Sequence, residues 1–251
     1  MDDLIPNLYF LALAFCIVAF LYSSVGLGGG SSYTALMAII GVPYLLIPTI
    51  SLTLNLIVTS IASINFLRGG HGRIRLLLPF LITSIPMAYI GGSLYFPKDI
   101  FFLLLMATLV LVALRVYVWD RPELRLNLTY SGKLAVSLLI GGILGFIAGA
   151  VGIGGGIYLV PLIIILGLGT EKEAAATGAI FIWLNSCAGL AARTGDFPDP
   201  VTILPLLLAV IIGGATGSFL GANRYEPRTM QKLLGGIILI AIVILFSKMI
   251  L

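Results

Sequence analysis

The chain has 251 residues; 60% are hydrophobic and only 10% are charged, with 14 Lys and Arg against 10 Asp and Glu. A soluble domain carries about 45–50% apolar and about 25% charged residues, and could not hide this much apolar surface, whereas a disordered chain has the opposite bias. A soluble enzyme, a nucleic-acid-binding domain and an extracellular disulfide scaffold are therefore excluded, and a polytopic, all-α membrane protein is expected.

A helix needs about 20 apolar residues to cross about 30 Å of hydrocarbon. Ten apolar stretches follow along the chain: 4–25, 29–42, 44–67, 74–96, 99–118, 133–151, 155–168, 172–193, 201–222 and 228–250. The breaks between them are short and marked by Gly, Pro or charge, as at Gly41-Val42-Pro43, Pro97-Lys98-Asp99 and Gly195 to Pro200. The apolar runs are continuous rather than alternating, which argues against a β-barrel. Asp2 and Asp3 stand where a signal peptide would have basic residues, so the first stretch reads as a membrane segment. Cys16 and Cys187 lie in separate apolar runs and suggest no disulfide framework.

The second and seventh stretches are short, about 20 Å of helix at 1.5 Å per residue, and each begins at a glycine cluster. These clusters are copies. Val25-Gly26-Leu27-Gly28-Gly29-Gly30 returns 126 residues later as Val151-Gly152-Ile153-Gly154-Gly155-Gly156. Phe20 matches Phe146, Gly41 matches Gly167, Leu78-Pro79 matches Leu204-Pro205 and Gly91 matches Gly217 at the same offset. With 30 glycines in 251 residues, four preset positions are all glycine by composition alone about twice in 10,000 trials, so a duplication explains the pattern better. The expected organisation is a first repeat over 1–118, a linker over 119–132 and a second repeat over 133–251.

Charge placement orients the halves. With the loop of Arg68, Arg73 and Arg75 inside, the inner side also holds Arg115, Arg121, Arg125, Lys133, Lys172, Arg224, Arg228 and Lys232. Only Lys98, Arg193 and Lys248 remain outside, and both termini fall outside. Matching loops carry opposite bias: 68–75 is basic, whereas its counterpart 194–200 holds Asp196 and Asp199. Five segments per half with opposite bias predict two inverted five-segment repeats, each with a short or re-entrant broken helix after its GxGGG. A short segment at matching positions of two halves is a pointer to a transporter site.

The chemistry follows from the glycines. Adjacent glycines permit positive φ and leave N–H groups uncovered, and freed backbone is tolerated in a bilayer only inside protein or beside a watery cavity. Each run ends at a helix start, expected at Ser31 and Ile157, where free N–H groups and the helix dipole suit an anion. Gly28, Gly29, Gly30, Ser31, Gly154, Gly155 and Gly156 are the candidate backbone site; close helix packing is the competing explanation. Ser51, Asn55 and Thr59 form one polar stripe on the third stretch, and Thr177 and Asn185 a second on the eighth. Their side chains can donate to anionic oxygens, or bond between helices. Gly213, Gly217 and Gly221, and Gly145 with Gly149, read as packing surfaces. Every Asp and Glu falls in or beside a loop or terminus, and the single histidine, His71, is in a basic loop. No proton relay, metal site, cofactor site or catalytic pair is expected.

The duplicated motif, GLGGG at 26–30 and GIGGG at 152–156 followed by Pro161, resembles the TauE/SafE family of sulfite exporters. Ala174-Ala175-Ala176-Thr177, Arg193 and Gly195 also resemble that family's second half. In the first half Ala35 stands in place of the proline, and Pro48 to Ser51 in place of the Ala-Thr stretch. The resemblance covers nearly the whole chain. It implies a multi-pass permease of a prokaryotic inner membrane, not an enzyme, that moves a small sulfur-containing anion such as sulfite or an organosulfonate. Its expected partners are that anion and the lipid bilayer, with no nucleic acid; a homo-oligomer is compatible with the sequence. An anion channel of the same architecture and a non-transporting scaffold subunit are the alternatives to a carrier.

Overall fold

The computed structural model describes residues 7–72, 74–118, 129–165, 168–193 and 197–223, with Leu239, Ile242, Val243 and Phe246. The tenth predicted stretch otherwise lies outside the described residues, as do residues 119–128 of the expected linker 119–132 and many cations of the charge tally, among them Arg73, Arg121, Arg125, Arg224, Arg228 and Lys232.

Nine helices are described, and no strand occurs among the described residues. They are α1 Leu8–Ser24, α2 Gly30–Ile40, α3 Leu46–Arg68, α4 Ile74–Ser93, α5 Lys98–Val118, α6 Tyr130–Val151, α7 Gly156–Ile165, α8 Glu171–Ala191 and α9 Pro200–Asn223. Each corresponds to one predicted stretch. Five are long and apolar enough to cross a membrane, over Leu46–Arg68, Leu76–Ser93, Ser131–Val151, Glu171–Ala191 and Pro200–Ala222. The starts of α2 and α7, and of α4 and α9, lie 126 residues apart, and those of α3 and α8 lie 125 apart.

Charges sit where helices begin. Thr170 caps α8 by accepting from the Glu173 backbone, while the Glu173 carboxylate accepts from the Thr170 N–H at 2.8 Å. This reciprocal box satisfies two helix-start donors and places acid at the positive end of the dipole. Asp99 likewise places acid in the first turn of α5.

Large apolar side chains face outward as well as inward, unlike those of a soluble bundle. Phe10, Leu13 and Ile17 of α1, Leu78 and Ile82 of α4, and Leu204, Leu208 and Ile212 of α9 are exposed. Ser51, Asn55, Thr59, Thr177, Asn185 and Ser186 are buried. An apolar exterior spaced at three to four residues around a polar-containing interior suits hydrocarbon solvent. The chain is a multi-pass membrane protein.

Where apolar surface gives no driving force between helices, close packing of small residues supplies it. The most extensive helix pairs are α4 with α6 and α1 with α9. A side chain at Gly213, Gly217 or Gly221 would strike the carbonyls of Cys16, Phe20 and Ser24 on α1. One at Gly141, Gly145 or Gly149 would strike Phe80, Ser84 and Ala88 on α4. The contacts rise in the same order, so each pair runs in one direction. The predicted glycine packing surfaces are therefore real close-approach surfaces. By contrast, α3 and α8 run in opposite directions, because Ser60 meets Trp183 while Leu52 meets Gly189.

Candidate functional site: two buried glycine loops

The two glycine runs leave the ends of α1 and α6 and start α2 and α7 one residue earlier than the sequence suggests, at Gly30 and Gly156. Backbone geometry explains the composition: φ is +75° at Gly26 and +94° at Gly29, and +86° at Gly152, +81° at Gly154 and +71° at Gly155. A side chain in this region costs about 1–2 kcal/mol. All of these glycines, with Gly28, Gly30 and Gly156, are buried.

Each loop packs on the opposite half. A methyl group on Gly26 would strike the backbone of Ala175 at the start of α8, and one on Gly152 would lie 2.8 Å from Pro48 Cα at the start of α3. The loops also meet each other: a methyl group on Gly30 would lie 2.7 Å from the Ile153 carbonyl oxygen and 2.8 Å from that of Gly152. Candidate residues from distant parts of the chain thus converge on one place.

The side chain of Asn55 stands between the loops. Its Nδ2 donates to the Gly152 carbonyl at 3.3 Å, and its Oδ1 would lie 2.5 Å from a methyl group on Gly28. Ser51 Oγ donates to the same Gly152 carbonyl at 2.7 Å. Thr59 touches the Gly28 position with its methyl and gives its proton to the Asn55 carbonyl one turn back, at 2.6 Å. The stripe therefore joins the loops, and each of its three donor groups already makes a hydrogen bond. On α8, Asn185 Nδ2 donates to the Phe181 carbonyl at 2.8 Å. Thr177 Oγ1 and Asn185 Oδ1 are buried with no hydrogen-bond partner among the described residues. Phe181 and Ile182 close over Gly155 and over Gly154 and Gly156.

The backbone donors are not engaged. Among the described residues, the N–H groups of Gly28, Gly29, Gly30 and Ser31 have no acceptor, nor do those of Gly154, Gly155, Gly156 and Ile157. A helix start always leaves its first N–H groups without intrahelical partners, but burying one unsatisfied costs about 1–3 kcal/mol. Two buried rows of N–H groups thus stand without acceptors among the described residues.

Around the first loop the donors continue into side chains. Tyr22 OH is hydrogen-bonded to Ser31 Oγ at 2.7 Å and Ser32 Oγ at 2.9 Å. Three hydroxyl protons serve these two bonds, so one proton of the trio remains for another acceptor. Beyond Thr59 the stripe reaches Ser63, which with Ser60, Ile64, Ile180 and Trp183 lines a cavity of about 250 Å³. Trp183 Nε1 donates to Ser60 Oγ across it at 2.8 Å.

Arg193, expected among the outer loop charges, is buried and donates through Nη2 to the carbonyls of Gly149 and Ala150, both at 3.0 Å. It holds the C-terminal turn of α6 immediately before the second loop, where a cation complements the dipole. Asp99, Glu171, Glu173 and Asp199 all lie at helix starts, and the described residues contain no cluster of metal-ligating side chains.

The probable membrane transporter protein y4hK of Sinorhizobium fredii (strain NBRC 101917 / NGR234) is 31% identical over 234 residues, covering 92% of this chain and 95% of that protein. The probable membrane transporter protein YjnA of Bacillus subtilis (strain 168) is 29% identical over 237 residues, covering 86% and 91%. The probable membrane transporter protein YunE of the same strain is 29% identical over 107 residues, covering 42% and 39%. No solved structure is significantly similar to the chain. The family model described as sulfite exporter TauE/SafE matches residues 11–245, both glycine loops included, and the chain belongs to that family of membrane transporters.

Proposed function

We propose that the protein exports a small sulfur-containing anion, such as sulfite or an organosulfonate, by alternating access between two inverted halves, 1–118 and 133–251. The observation that carries this reading is the convergence of two buried glycine loops whose N–H groups have no acceptor among the described residues. Neutral donors at a buried site favour an anion and avoid the cost of a fixed charge in lipid.

Helix pairing supports the inverted arrangement. Shifting by one repeat turns the α1–α9 pair into α6–α4, and α3–α9 into α8–α4, while α3–α8 maps onto itself. Two helices exchanged by a two-fold axis run antiparallel when that axis lies across them. For membrane-spanning α3 and α8, such an axis lies in the membrane plane, which inverts the halves. Both termini then face outward, as the charge bias suggests.

In this mechanism the anion is held where Gly28, Gly29, Gly30 and Ser31 face Gly154, Gly155 and Gly156, and the halves rock about α3 and α8. Ser51, Asn55 and Thr59 line one side and Thr177 and Asn185 the other. An inside-negative membrane supplies about 2.3 kcal/mol per charge per 100 mV for anion exit, so export needs no coupled cation. The test is efflux from proteoliposomes loaded with sulfite, sulfate, thiosulfate or a small sulfonate. Saturable efflux of at least one, accelerated by an inside-negative potential, is the expected result. Transport of cations alone would overturn the proposal.

A further inference from the structure

The two loops are built on one motif, but their helix starts are not chemically alike. Gly30-Ser31-Ser32-Tyr33-Thr34 opens α2, whereas Gly156-Ile157-Tyr158-Leu159-Val160 opens α7. At the 126-residue offset Tyr33 corresponds to Leu159. Tyr33 is the fourth residue of α2, and helical side chains lean toward the N-terminus, so its ring falls back over the start of its own helix. A methyl group on Gly29 would lie 2.7 Å from Tyr33 Cζ and 2.8 Å from its hydroxyl oxygen. The glycine at 29 therefore admits the phenol to the loop. The ring is held from behind by Phe15, with centroids 4.6 Å apart. Tyr33 is fully buried, and its hydroxyl has no hydrogen-bond partner among the described residues.

Burying a hydroxyl without a partner is unfavourable, and phenylalanine would give the same packing without that cost. The cost is offset if an acceptor arrives. The row of N–H groups from Gly28 to Ser31, the spare proton of the Tyr22-Ser31-Ser32 trio and the Tyr33 O–H are all donors around one helix start. We infer that the first loop, not the second, is the principal anion-holding element, and that Tyr33 is a further binding residue that donates its hydroxyl proton to an oxygen of a small oxyanion. This rests on the anion-transport reading and assigns its uneven division between the loops.

The test is calorimetric titration of sulfite into the purified wild-type protein and Tyr33→Phe, with thermal unfolding of each without anion. Tyr33→Phe is expected to bind sulfite about tenfold to a hundredfold more weakly, the effect of one hydrogen bond to a charged group, while unfolding at the same or a higher temperature without anion. Equal sulfite affinity in the two proteins overturns the inference and leaves the transport reading standing. Absence of saturable binding by the wild type to sulfite, sulfate, thiosulfate and small sulfonates overturns both. If Tyr33→Phe does not fold, 3-fluorotyrosine incorporated in the wild type gives the second readout. A saturable shift of the Tyr33 fluorine resonance with sulfite is expected, and an unmoved resonance in protein that binds sulfite refutes the inference.

Discussion

The first glycine loop and the second share a GxGGG motif and a reciprocal packing partner, yet they are held by different means. The second is tied down: Ser51 and Asn55 of α3 both donate to the Gly152 carbonyl, and Arg193 grips the two carbonyls at Gly149 and Ala150 that precede it. On the first loop's side, Thr177 corresponds to Ser51, but its hydroxyl has no partner among the described residues. Phe181 occupies the position that corresponds to Asn55. The start of α2 is hydroxyl-rich, whereas α7 starts with Ile, Leu and Val and a single tyrosine, Tyr158, whose hydroxyl donates to the Thr108 carbonyl. Duplicated backbone can thus diverge, one copy becoming an anchored element and the other a donor-lined one.

The largest effects should ignore this difference. Gly26→Val and Gly152→Val each place a branched side chain at positive φ against the other half, where Gly26 meets Ala175 and Gly152 meets Pro48. Each should cost about 3 kcal/mol or more, read as a lower unfolding temperature in detergent. If one is tolerated, the loops do not share their packing role.

Next comes Arg193→Met, which removes two charge-assisted hydrogen bonds from the end of α6. We expect a loss of about 3 kcal/mol in thermal unfolding, with Arg193→Lys recovering part of it. Local amide exchange should rise around Gly152 and stay unchanged around Gly26; an equal rise at both would erase the proposed difference in anchoring.

A smaller effect separates Ser51 from Thr177. Ser51→Ala loses a 2.7 Å bond between the halves and should cost about 1 kcal/mol. Thr177→Val loses no hydrogen bond among the described residues, and should leave stability unchanged or slightly raised while slowing anion efflux. Unchanged efflux in Thr177→Val would remove it from the site.

These contrasts also show what sequence alone could reveal. Apolar run lengths and glycine breaks are local signals, and the described helices follow them within a few residues. The duplication located both loops because positive φ requires glycine at Gly26, Gly29, Gly152 and Gly155, which match in pairs. Arg193 was not legible: an arginine just before a charged loop reads as a surface cation, and only tertiary packing brings it to the end of α6. Tyr33 was likewise hidden, since one tyrosine in an apolar run carries no periodic signal and its meeting with Gly29 depends on rotamer direction. Asn55 was seen as polar and inward, but its place between the loops involves Gly152, 97 residues away.

The most direct test of the glycine-loop account is a sulfite titration of protein carrying 15N-labelled glycine in lipid nanodiscs, followed by NMR of the loop amides. The account predicts saturable shifts at Gly28, Gly29 and Gly30, with smaller ones at Gly154, Gly155 and Gly156. Saturable sulfite binding that leaves all six resonances unmoved would contradict it.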